Sequence, residues 1–259
     1  MSGPRPNAVD RDLVDKDPGR IQAMFDGIAP RYDLLNRLLS AGFDRRWRAR
    51  AVEALAPRGG ETVLDLCTGT ADLALAVASR GPDPARVVGL DFSAEMLDLG
   101  RQKVAAHGHP VALVRGDVVR LPMSSGVVDA VIVAFGVRNV VDLPGALREM
   151  HRVLRPGGRL VVLEFGLPTV SGLGAAYAWY LHRVLPRVGA WLSKDSQAYS
   201  YLPASVGSFP AGERFVEWVR TAGFEGVACL PLTFGIVYLY AARRPSDHRC
   251  PSNAGGIVV

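Results

Sequence analysis

The sequence lacks several features that would place it in a special class of protein. Its 259 residues include only three cysteines, Cys67, Cys229 and Cys250, which lie far apart and form no C-x-x-C pair. No run of about 18 apolar residues occurs, so no membrane-spanning helix is predicted. The first 18 residues are polar, so no secretory leader is expected within them. These absences predict a cytoplasmic protein without a disulfide framework.

Composition and charge are those of an ordinary globular protein. Apolar residues make up 49% of the chain, charged residues 21%, and the net charge is +5. A mild positive charge permits attraction to nucleic acid or to an anionic membrane, but a solvated basic surface is the simpler interpretation, and no nucleic-acid partner is expected. The tails over 1–18 and 244–259 are predicted to be mobile arms on either side of a single domain, 19–243.

The central part of the chain alternates between short β-branched runs and helical stretches. Alternation of strand and helix is typical of a parallel sheet with helices on both faces, and runs that are apolar throughout fit strands buried on both sides. The predicted strands are 62–66, 86–90, 111–115, 128–134 and 159–165, and the helices between them are 71–80, 94–107 and 143–154.

The last part of the domain departs from this pattern. A helix at about 213–222 is followed by two strand-like runs, 226–231 and 235–242, which only a short turn separates. A short turn cannot make a parallel crossover, so we expect an antiparallel hairpin. The usual dinucleotide-binding fold is all parallel, whereas the S-adenosylmethionine-dependent methyltransferase fold ends in such a hairpin.

The loop after the first strand indicates what the sheet binds. A dinucleotide fingerprint needs three glycines so that the backbone can approach a pyrophosphate. Here the stretch DLCTGTAD at 65–72 has one glycine, Gly69, and an acid, Asp65, where a pyrophosphate would be repelled. S-adenosylmethionine carries a sulfonium and an ammonium group. An acidic loop therefore favours this cofactor over NAD.

Two more acids follow the next two predicted strands. Asp91 can accept hydrogen bonds from both ribose hydroxyls of an adenosine, and Asp117 can accept one from an adenine amino group. The carboxyl ends of parallel strands meet at one crevice, so Asp65, Asp91 and Asp117 should converge. The alternative for each acid is an N-cap on the following helix.

Longer stretches carry a family resemblance. The order VLDLCTGTADLALA, GLDFSAEML, RGDVVRLP and RVLRPGG resembles that of class I methyltransferases. More specific stretches resemble the menaquinone/ubiquinone biosynthesis C-methyltransferase family over about residues 17–243; they lie at 32–47, 134–140, 152–165, 199–210 and 232–240. The resemblance implies a class I S-adenosylmethionine-dependent methyltransferase fold. This is a doubly wound α/β fold with a mostly parallel seven-stranded sheet and an antiparallel C-terminal hairpin.

The resemblance also implies a reaction, the transfer of a methyl group from S-adenosylmethionine to a ring carbon of a polyprenylated quinol. The acceptor is demethylmenaquinol in the menaquinone branch and a methoxy-benzoquinol in the ubiquinone branch, and an enzyme acting on both is an alternative. Asp44 stands where the family often has His and favours the menaquinone branch by association. The family's cofactor positions fall on Thr70, Asp91, Asp117, Val118 and Ala134, the last replacing a common serine.

Three residues are candidates for the chemistry of ring methylation. A quinol carbon becomes nucleophilic when the neighbouring hydroxyl is deprotonated, so the site must stabilise a phenolate. Arg138 can act as a fixed cation, Asn139 can orient a water or a quinol oxygen, and Tyr32 can hydrogen-bond the quinol. The alternatives are a surface salt bridge for Arg138, a helix N-cap for Asn139 and core packing for Tyr32.

A substrate dissolved in the bilayer requires contact with a membrane. The segment 171–192 carries apolar residues at three- and four-residue steps with basic flanks. This pattern is typical of an interfacial helix, or of a lid whose apolar stripe covers the pocket. We expect a lid-like insertion over 171–205, a helical cap over 19–55 and contact with the inner face of the cell membrane. The histidines have no metal-ligand spacing, so no metal is assigned, and the oligomeric state, a homodimer included, stays open.

Three other interpretations compete with quinol methylation. The first is a methyltransferase of the same fold that acts on a soluble small molecule, which the stretch at 32–47 and the Arg138–Asn139 pair disfavour. The second is an NAD-dependent oxidoreductase, which the single-glycine loop and the terminal hairpin oppose. The third is a cofactor-binding scaffold without catalysis, which the presence of Arg138 and Asn139 weakens.

Overall fold

A seven-stranded sheet organises the part of the chain that the computed structural model describes, residues 17–40, 42–80, 85–168, 177, 179–180, 183 and 197–246. The strands are β1 Thr62–Leu66, β2 Arg86–Asp91, β3 Val111–Arg115, β4 Val128–Ala134, β5 Leu154–Phe165, β6 Glu225–Leu232 and β7 Val237–Arg243. Their order across the sheet is β3-β2-β1-β4-β5-β7-β6. Strands β1 to β5 are parallel, and β7 is antiparallel to both β5 and β6. The predicted fold class is confirmed.

Three of the described helices begin at a side-chain cap. Asp17 accepts a hydrogen bond from the backbone N–H of Arg20, Ser93 from that of Met96 and Asp142 from that of Gly145, each at the start of a helix. The described helices are α1 Pro18–Ile28, α2 Tyr32–Leu39, α3 Phe43–Leu55, α4 Asp72–Ala78, α5 Ala94–His107, α6 Leu143–Val153, α7 Gln197–Ser208 and α8 Glu213–Thr221.

The core lies on both faces of the sheet, as strands that are apolar throughout require. Val63 and Leu64 are adjacent on β1 and fully buried, but they belong to different apolar clusters because successive side chains point to opposite faces. Leu64 packs in the cluster that holds α6 and α8, with Leu147 and Phe215. Val63 packs in the cluster that holds α3 and α4.

The stretch Arg155–Gly158 has the structural role that its Pro and Gly residues indicate. Helix α6 ends at Val153, and the register between β4 and β5 shifts, so that Val128 pairs with Leu154 but Ala130 pairs with Arg159. The extra residues loop out, and Gly157 adopts a φ of 77°, which favours glycine. The strand therefore starts earlier than predicted.

Most of the predicted lid, 171–205, and most of the two predicted arms, 1–18 and 244–259, lie outside the described residues. Within 171–192, Tyr177 and Tyr180 are half-buried with ring centroids 6.3 Å apart, whereas Trp179 and Arg183 are exposed. The other residues of the predicted stripe, Leu181, Val184, Leu185, Val188, Trp191 and Leu192, lie outside the described residues. No helix among the described residues is long and apolar enough to cross a membrane. The domain boundaries stay predictions.

Candidate active site

A cavity of about 310 Å³ opens at the carboxyl ends of β1 to β4, beneath α1 and α2. Open α/β sheets bind ligands at this edge, at the point where the strand order reverses, here between β1 and β4. The walls of this central cavity come from five parts of the chain. The residues are Ile21, Phe25 and Tyr32 from the first helices; Cys67 and Gly69 after β1; Leu90, Asp91, Phe92 and Met96 around the end of β2; Gly116 to Val119 after β3; and Phe135, Gly136 and Asn139 to Asp142 after β4.

Asp91 is the best-anchored acid of the central cavity. One carboxylate oxygen accepts a hydrogen bond from the backbone N–H of Gly69 (2.8 Å), and the other accepts one from that of Ser93 (3.0 Å). Burial raises the pKa of Asp91, although these hydrogen bonds act against the rise. Since Ser93 caps α5, the N-cap alternative for Asp91 is wrong. The carboxylate is held in place with lone pairs left for a ligand.

Asp117 and Val118 also line the central cavity. The Asp117 carboxylate accepts a hydrogen bond from the backbone N–H of Val119 (3.0 Å), and Val118 is buried. The residues that follow form a turn, not a helix, so Asp117 is not a helix cap. Asp91 and Asp117 therefore converge on one crevice, as predicted from their positions at strand ends.

Asp65 lies behind the wall of the central cavity. It is only 1% exposed, and one oxygen accepts a hydrogen bond from the Thr68 hydroxyl (2.6 Å). The other oxygen has no hydrogen-bond partner among the described residues. Burial raises the pKa of Asp65 to about 7. Asp65 does not cap α4, because the residue before that helix is Ala71.

Two further predicted cofactor residues, Thr70 and Ala134, are not among the residues that line the central cavity. The Thr70 hydroxyl donates to Asp33 (2.7 Å) and accepts from the Lys103 ammonium (2.9 Å). Ala134 packs with the apolar cluster that contains Trp47. The roles of Asp65, Thr70 and Ala134 in cofactor binding stay predictions.

The loop after β1 turns sharply around the base of the central cavity. Cys67, Gly69 and Ala71 all adopt left-handed backbone conformations, with φ of 53°, 55° and 67°. Gly136 lies against this loop, where a Cβ would overlap the Cys67 side chain. Burial, together with the nearby carboxylates of Asp91 and Asp65, raises the pKa of the Cys67 thiol well above its usual value. Cys67 is therefore a neutral wall residue and a poor nucleophile.

Arg138, which lies in the chain between the lining residues Gly136 and Asn139, does not itself line the central cavity but forms a buried ion pair. The Arg138 guanidinium donates to Glu164 (2.8 Å), and the Arg138 backbone N–H donates to the other Glu164 oxygen (3.2 Å). Glu164 is completely buried and Arg138 is 7% exposed, so the surface salt bridge considered for Arg138 is wrong. Burial alone would lower the pKa of Arg138, but the Glu164 carboxylate raises it. The pair carries no net charge, and Arg138 keeps its proton.

Asn139 and Tyr32 line the central cavity, and their roles in catalysis stay predictions. The Tyr201 hydroxyl donates to the Asn139 side-chain oxygen (3.1 Å), and Asp142, not Asn139, caps α6. Tyr32 is half-buried, and a Cβ at Gly69 would come within 3.9 Å of its ring. Burial raises the pKa of Tyr32 and that of Tyr201. Both phenols therefore stay protonated near neutral pH.

Packing between distant segments supplies partners for the predicted site residues that the sequence did not indicate. Glu164, Tyr201 and Lys103 contact predicted site residues but were not proposed as functional. Glu164 carried a readable signal, since an acid inside an apolar strand is costly to bury and needs a partner. Lys103 carried none, and Tyr201, although it lies in the stretch 199–210 that carries the resemblance, had nothing to mark it as a partner of Asn139.

The charged residues in the wall of the central cavity indicate which cofactor the cavity can hold. Among the described residues that line the central cavity, the charged ones are Asp91, Asp117 and Asp142, all acidic. A pyrophosphate would meet only repulsion there, whereas a cationic ligand with hydroxyl groups finds acceptors. The remaining wall is mostly apolar and suits a flat heterocycle. S-adenosylmethionine fits this set of residues. No group of three or more metal-ligating side chains occurs among the described residues.

The chain is similar in sequence to proteins of known family. The model of the ubiE/COQ5 methyltransferase family matches residues 13–244. The chain is 49% identical over 222 residues to a demethylmenaquinone methyltransferase of Thermus thermophilus, covering 86% of this chain and 100% of that protein. It is 46% identical over 227 residues to the ubiquinone/menaquinone biosynthesis C-methyltransferase UbiE of a Geobacter species, covering 87% and 96%.

A solved structure supports the fold independently. A methyltransferase of Thermotoga maritima, described as S-adenosylmethionine-dependent and as a possible histamine N-methyltransferase, superposes with a TM-score of 0.61 at 18% identity. The match covers 86% of this chain and 99% of that one. At this identity the likeness shows the class I methyltransferase fold alone. The family match and the relatives go further: the chain belongs to the ubiE/COQ5 methyltransferase family.

Proposed function

We propose that this methyltransferase moves the methyl group of S-adenosylmethionine to a ring carbon of a polyprenylated quinol, with demethylmenaquinol as the acceptor. The observation that carries the proposal is a cavity whose charged wall residues are all acidic and whose lining residues Gly136 and Asn139 lie on either side of Arg138 in the chain. The relative at 49% identity is named for demethylmenaquinone, which favours that acceptor. The name of the other relative covers both quinones, so a dual-substrate enzyme is the second candidate.

The cofactor would be held by the acids after β2 and β3. Asp91, fixed by two backbone N–H groups, would accept hydrogen bonds from the ribose hydroxyls, and Asp117 with Val118 would hold the adenine end. Gly69 lets the backbone approach the ligand without a side chain in the way. When bound, S-adenosylmethionine supplies an electrophilic methyl group on a sulfonium.

The acceptor would be oriented at the β4–β5 end. The Arg138 guanidinium acts electrostatically on Tyr32 of α2, on Tyr177 of the predicted lid segment and on Tyr201 of α7. Since Arg138 keeps its proton, it would stabilise a phenolate by donating hydrogen bonds, and the quinol proton would leave on water. Asn139, fixed by Tyr201, would orient a quinol oxygen.

Exclusion of water would come from the apolar walls. Phe25, Met96, Phe135 and Val140 line the central cavity and leave little polar surface besides the acids. In a dry site the hydrogen bonds of Arg138 and Asn139 to a developing phenolate are stronger than in water. The nucleophilic ring carbon of the quinol would thus contact the methyl group of S-adenosylmethionine and not solvent.

We also propose peripheral contact with a membrane, through a patch at the same edge of the sheet. Phe43 stacks on Trp47 (centroids 6.0 Å apart), and the Trp47 indole N–H donates to Thr233 (2.8 Å), next to Phe234. Phe43 and Phe234 are exposed, the latter by 69%, and the Arg46 guanidinium lies 5.5 Å from the Phe43 ring. Exposed aromatics beside arginine suit the surface of an anionic bilayer.

Sedimentation with vesicles tests the membrane contact. We expect the wild-type protein to sediment with anionic vesicles and the double variant Phe43→Ser/Phe234→Ser to stay in the supernatant. Leu230→Ser, which removes an exposed apolar residue from the edge strand β6, is the matched control. Equal sedimentation of all three proteins would contradict the patch.

The decisive experiment for the reaction is a methyl-transfer assay. Purified protein and labelled S-adenosylmethionine are given reduced demethylmenaquinone or, separately, the reduced ubiquinone precursor. Product from the first alone is the expected result, and product from both would indicate the dual-substrate enzyme. No product from either, with cofactor binding intact, would overturn the quinol proposal in favour of a soluble acceptor.

A further inference from the structure

The first two helices are tied to the cofactor loops by two carboxylate–hydroxyl contacts. Asp26 on α1 accepts a hydrogen bond from the Ser93 hydroxyl (2.5 Å), and Asp33 on α2 accepts one from the Thr70 hydroxyl (2.7 Å). Ser93 and Thr70 follow β2 and β1, the strands whose ends carry Asp91 and Asp65. The helices that roof the central cavity are thus bound to the loops that form its floor.

The Lys103 side chain, on α5, lies at the contact between Asp33 and Thr70 and links α2, α4 and the loop after β1. Its ammonium lies 2.5 Å from Asp33 on α2, 2.5 Å from Asp72 on α4 and 2.9 Å from the hydroxyl of Thr70. An ammonium has three donors, and all three are used here. Arg48 on α3 extends the network, since it pairs with both Asp72 and Asp44.

This network lies directly behind the roof of the central cavity. Asp33 follows Tyr32, whose ring covers Gly69, and the other roof residues, Ile21 and Phe25, lie on α1. Holding Asp33 fixes the start of α2 and with it the position of the Tyr32 ring. Thr70 is a predicted cofactor residue, yet its hydroxyl points at Asp33 and Lys103.

We propose that Asp33, Thr70, Lys103 and Asp72 form a clasp that closes helices α1 and α2 over the cofactor. With the clasp intact, Tyr32 and Phe25 shield the ligand, and the cofactor leaves only after the roof detaches. Asp33 and Lys103 are positioning residues, because they reach the ligand only through Tyr32 and Thr70. The cofactor's identity rests on the proposed function, but the clasp itself does not.

The expected effect is moderate because the clasp is partly exposed. The Lys103 and Asp33 side chains retain 26% and 30% exposure, so salt screens their attraction in part. Hydrogen bonds to charged groups of this kind change an equilibrium by about tenfold. We therefore expect the clasp variants to open the roof about tenfold more often.

Hydrogen exchange tests the clasp without any ligand. Backbone amides within 18–39 should exchange about tenfold faster in Lys103→Gln and in Asp33→Asn than in the wild-type protein, while amides of β1 and β4 stay unchanged. Arg101→Gln is the matched control, because Arg101 lies on the same helix and pairs with the exposed Asp98. Uniform exchange rates in all four proteins would overturn the clasp.

Stopped-flow measurement of S-adenosylmethionine dissociation tests whether the clasp retains the cofactor. The dissociation rate should rise about tenfold in either clasp variant and not in Arg101→Gln. In the double variant Asp33→Asn/Lys103→Gln, the fold-increase in dissociation rate should be smaller than the product of the two single fold-increases, because both substitutions remove the same contact. Unchanged dissociation in the variants would overturn closure over the cofactor. A wild-type protein that binds no cofactor would refute the proposed function, while the exchange experiment would still decide on the clasp.

Discussion

The two ends of the active site hold their charges in different ways. At the end formed by β1 to β3, the Asp91 carboxylate is fixed by backbone N–H groups of Gly69 and Ser93. At the end formed by β4 and β5, the Arg138 guanidinium is fixed by the Glu164 side chain, 26 residues away. The backbone N–H groups that hold Asp91 belong to loops next to strand ends, whereas the side chain that holds Arg138 reaches it only through the register of the sheet. The anchoring of the acidic end can therefore be predicted from local sequence, whereas at the arginine end the sequence marks Arg138 and Asn139 as candidates but does not identify their partners.

The largest effect should follow from breaking the buried pair. Glu164→Gln leaves the Arg138 charge buried without compensation, so the free energy of unfolding should fall by about 3–5 kcal/mol. Arg138 would also lose its orientation, and kcat should drop by about two orders of magnitude. Urea unfolding and methyl-transfer kinetics measure the two effects. Glu53→Gln, which breaks an exposed pair with Arg50, is the control and should change neither.

Breaking the buried pair should affect catalysis much more than the affinity for S-adenosylmethionine. If the two ends act separately, Glu164→Gln should leave the Kd of S-adenosylmethionine within about threefold of the wild-type value, a difference below 1 kcal/mol. A loss of cofactor affinity as large as the loss of kcat would show that the ends are not separable.

Asp65 should make stability depend on pH. Its pKa is raised to about 7 in the folded protein, so the folded state binds this proton more tightly than the unfolded chain does. The contribution is therefore fully present below pH of about 4 and is lost as the pH rises through 7, by up to about 4 kcal/mol. Asp65→Asn is neutral throughout, so its unfolding free energy should fall less between pH 5 and pH 8.5 than that of the wild type.

The measurement is urea unfolding at both pH values. Asp98→Asn, an exposed acid on α5, is the matched control and should keep the wild-type dependence on pH. An identical slope for Asp65→Asn and the wild type would show that the Asp65 proton does not matter for stability.

Asp91 should control cofactor affinity. Asp91→Ala removes the two oxygens proposed to accept from the ribose and leaves the N–H groups of Gly69 and Ser93 without their partner, so the Kd of S-adenosylmethionine should rise about 100-fold. Calorimetry of cofactor binding measures this. The comparison between the two ends requires that Asn139→Ala, at the arginine end, leave the same Kd nearly unchanged. Equal losses in both variants would refute it.

A smaller effect is expected for the phenol that orients Asn139. Tyr201→Phe removes one hydrogen bond between neutral groups, so kcat should fall about fivefold with the cofactor Kd unchanged. Burial raises the pKa of Tyr201, so the wild-type rate should show no titration of this phenol near neutral pH. Initial rates across pH 6 to 9 provide the check, and a Tyr201→Phe variant with wild-type kcat would exclude the role.

The smallest effect concerns the position where the family commonly has serine. Ala134 packs against the cluster that contains Trp47 and is not among the residues that line the central cavity. Ala134→Ser should therefore change the cofactor Kd by less than about twofold, under 0.5 kcal/mol. A gain of tenfold or more would show that a hydroxyl here reaches the cofactor and that Ala134 weakens binding in this chain.

Much of the acidic end could be predicted because its signals are local. Asp91 and Asp117 each end or follow a strand that the sequence marks clearly, and parallel strands bring such positions together. Asp65 occupies the same kind of position but lies behind the wall, with its carboxylate turned to Thr68. Successive residues of a strand point to opposite faces, and the exact end of each strand decides which side chain meets the cavity.

The sequence by itself determined the order of strands and helices, the antiparallel hairpin and the acids at the strand ends, because hydrophobic periodicity and turn residues act over a few neighbours. The tertiary structure decided which side chains became partners. Glu164 meets Arg138 through the register of β5, Tyr201 meets Asn139 across 62 residues, and Asp33 meets Thr70 across 37. Such contacts depend on packing between distant segments, and no local pattern in the sequence encodes the distance between them.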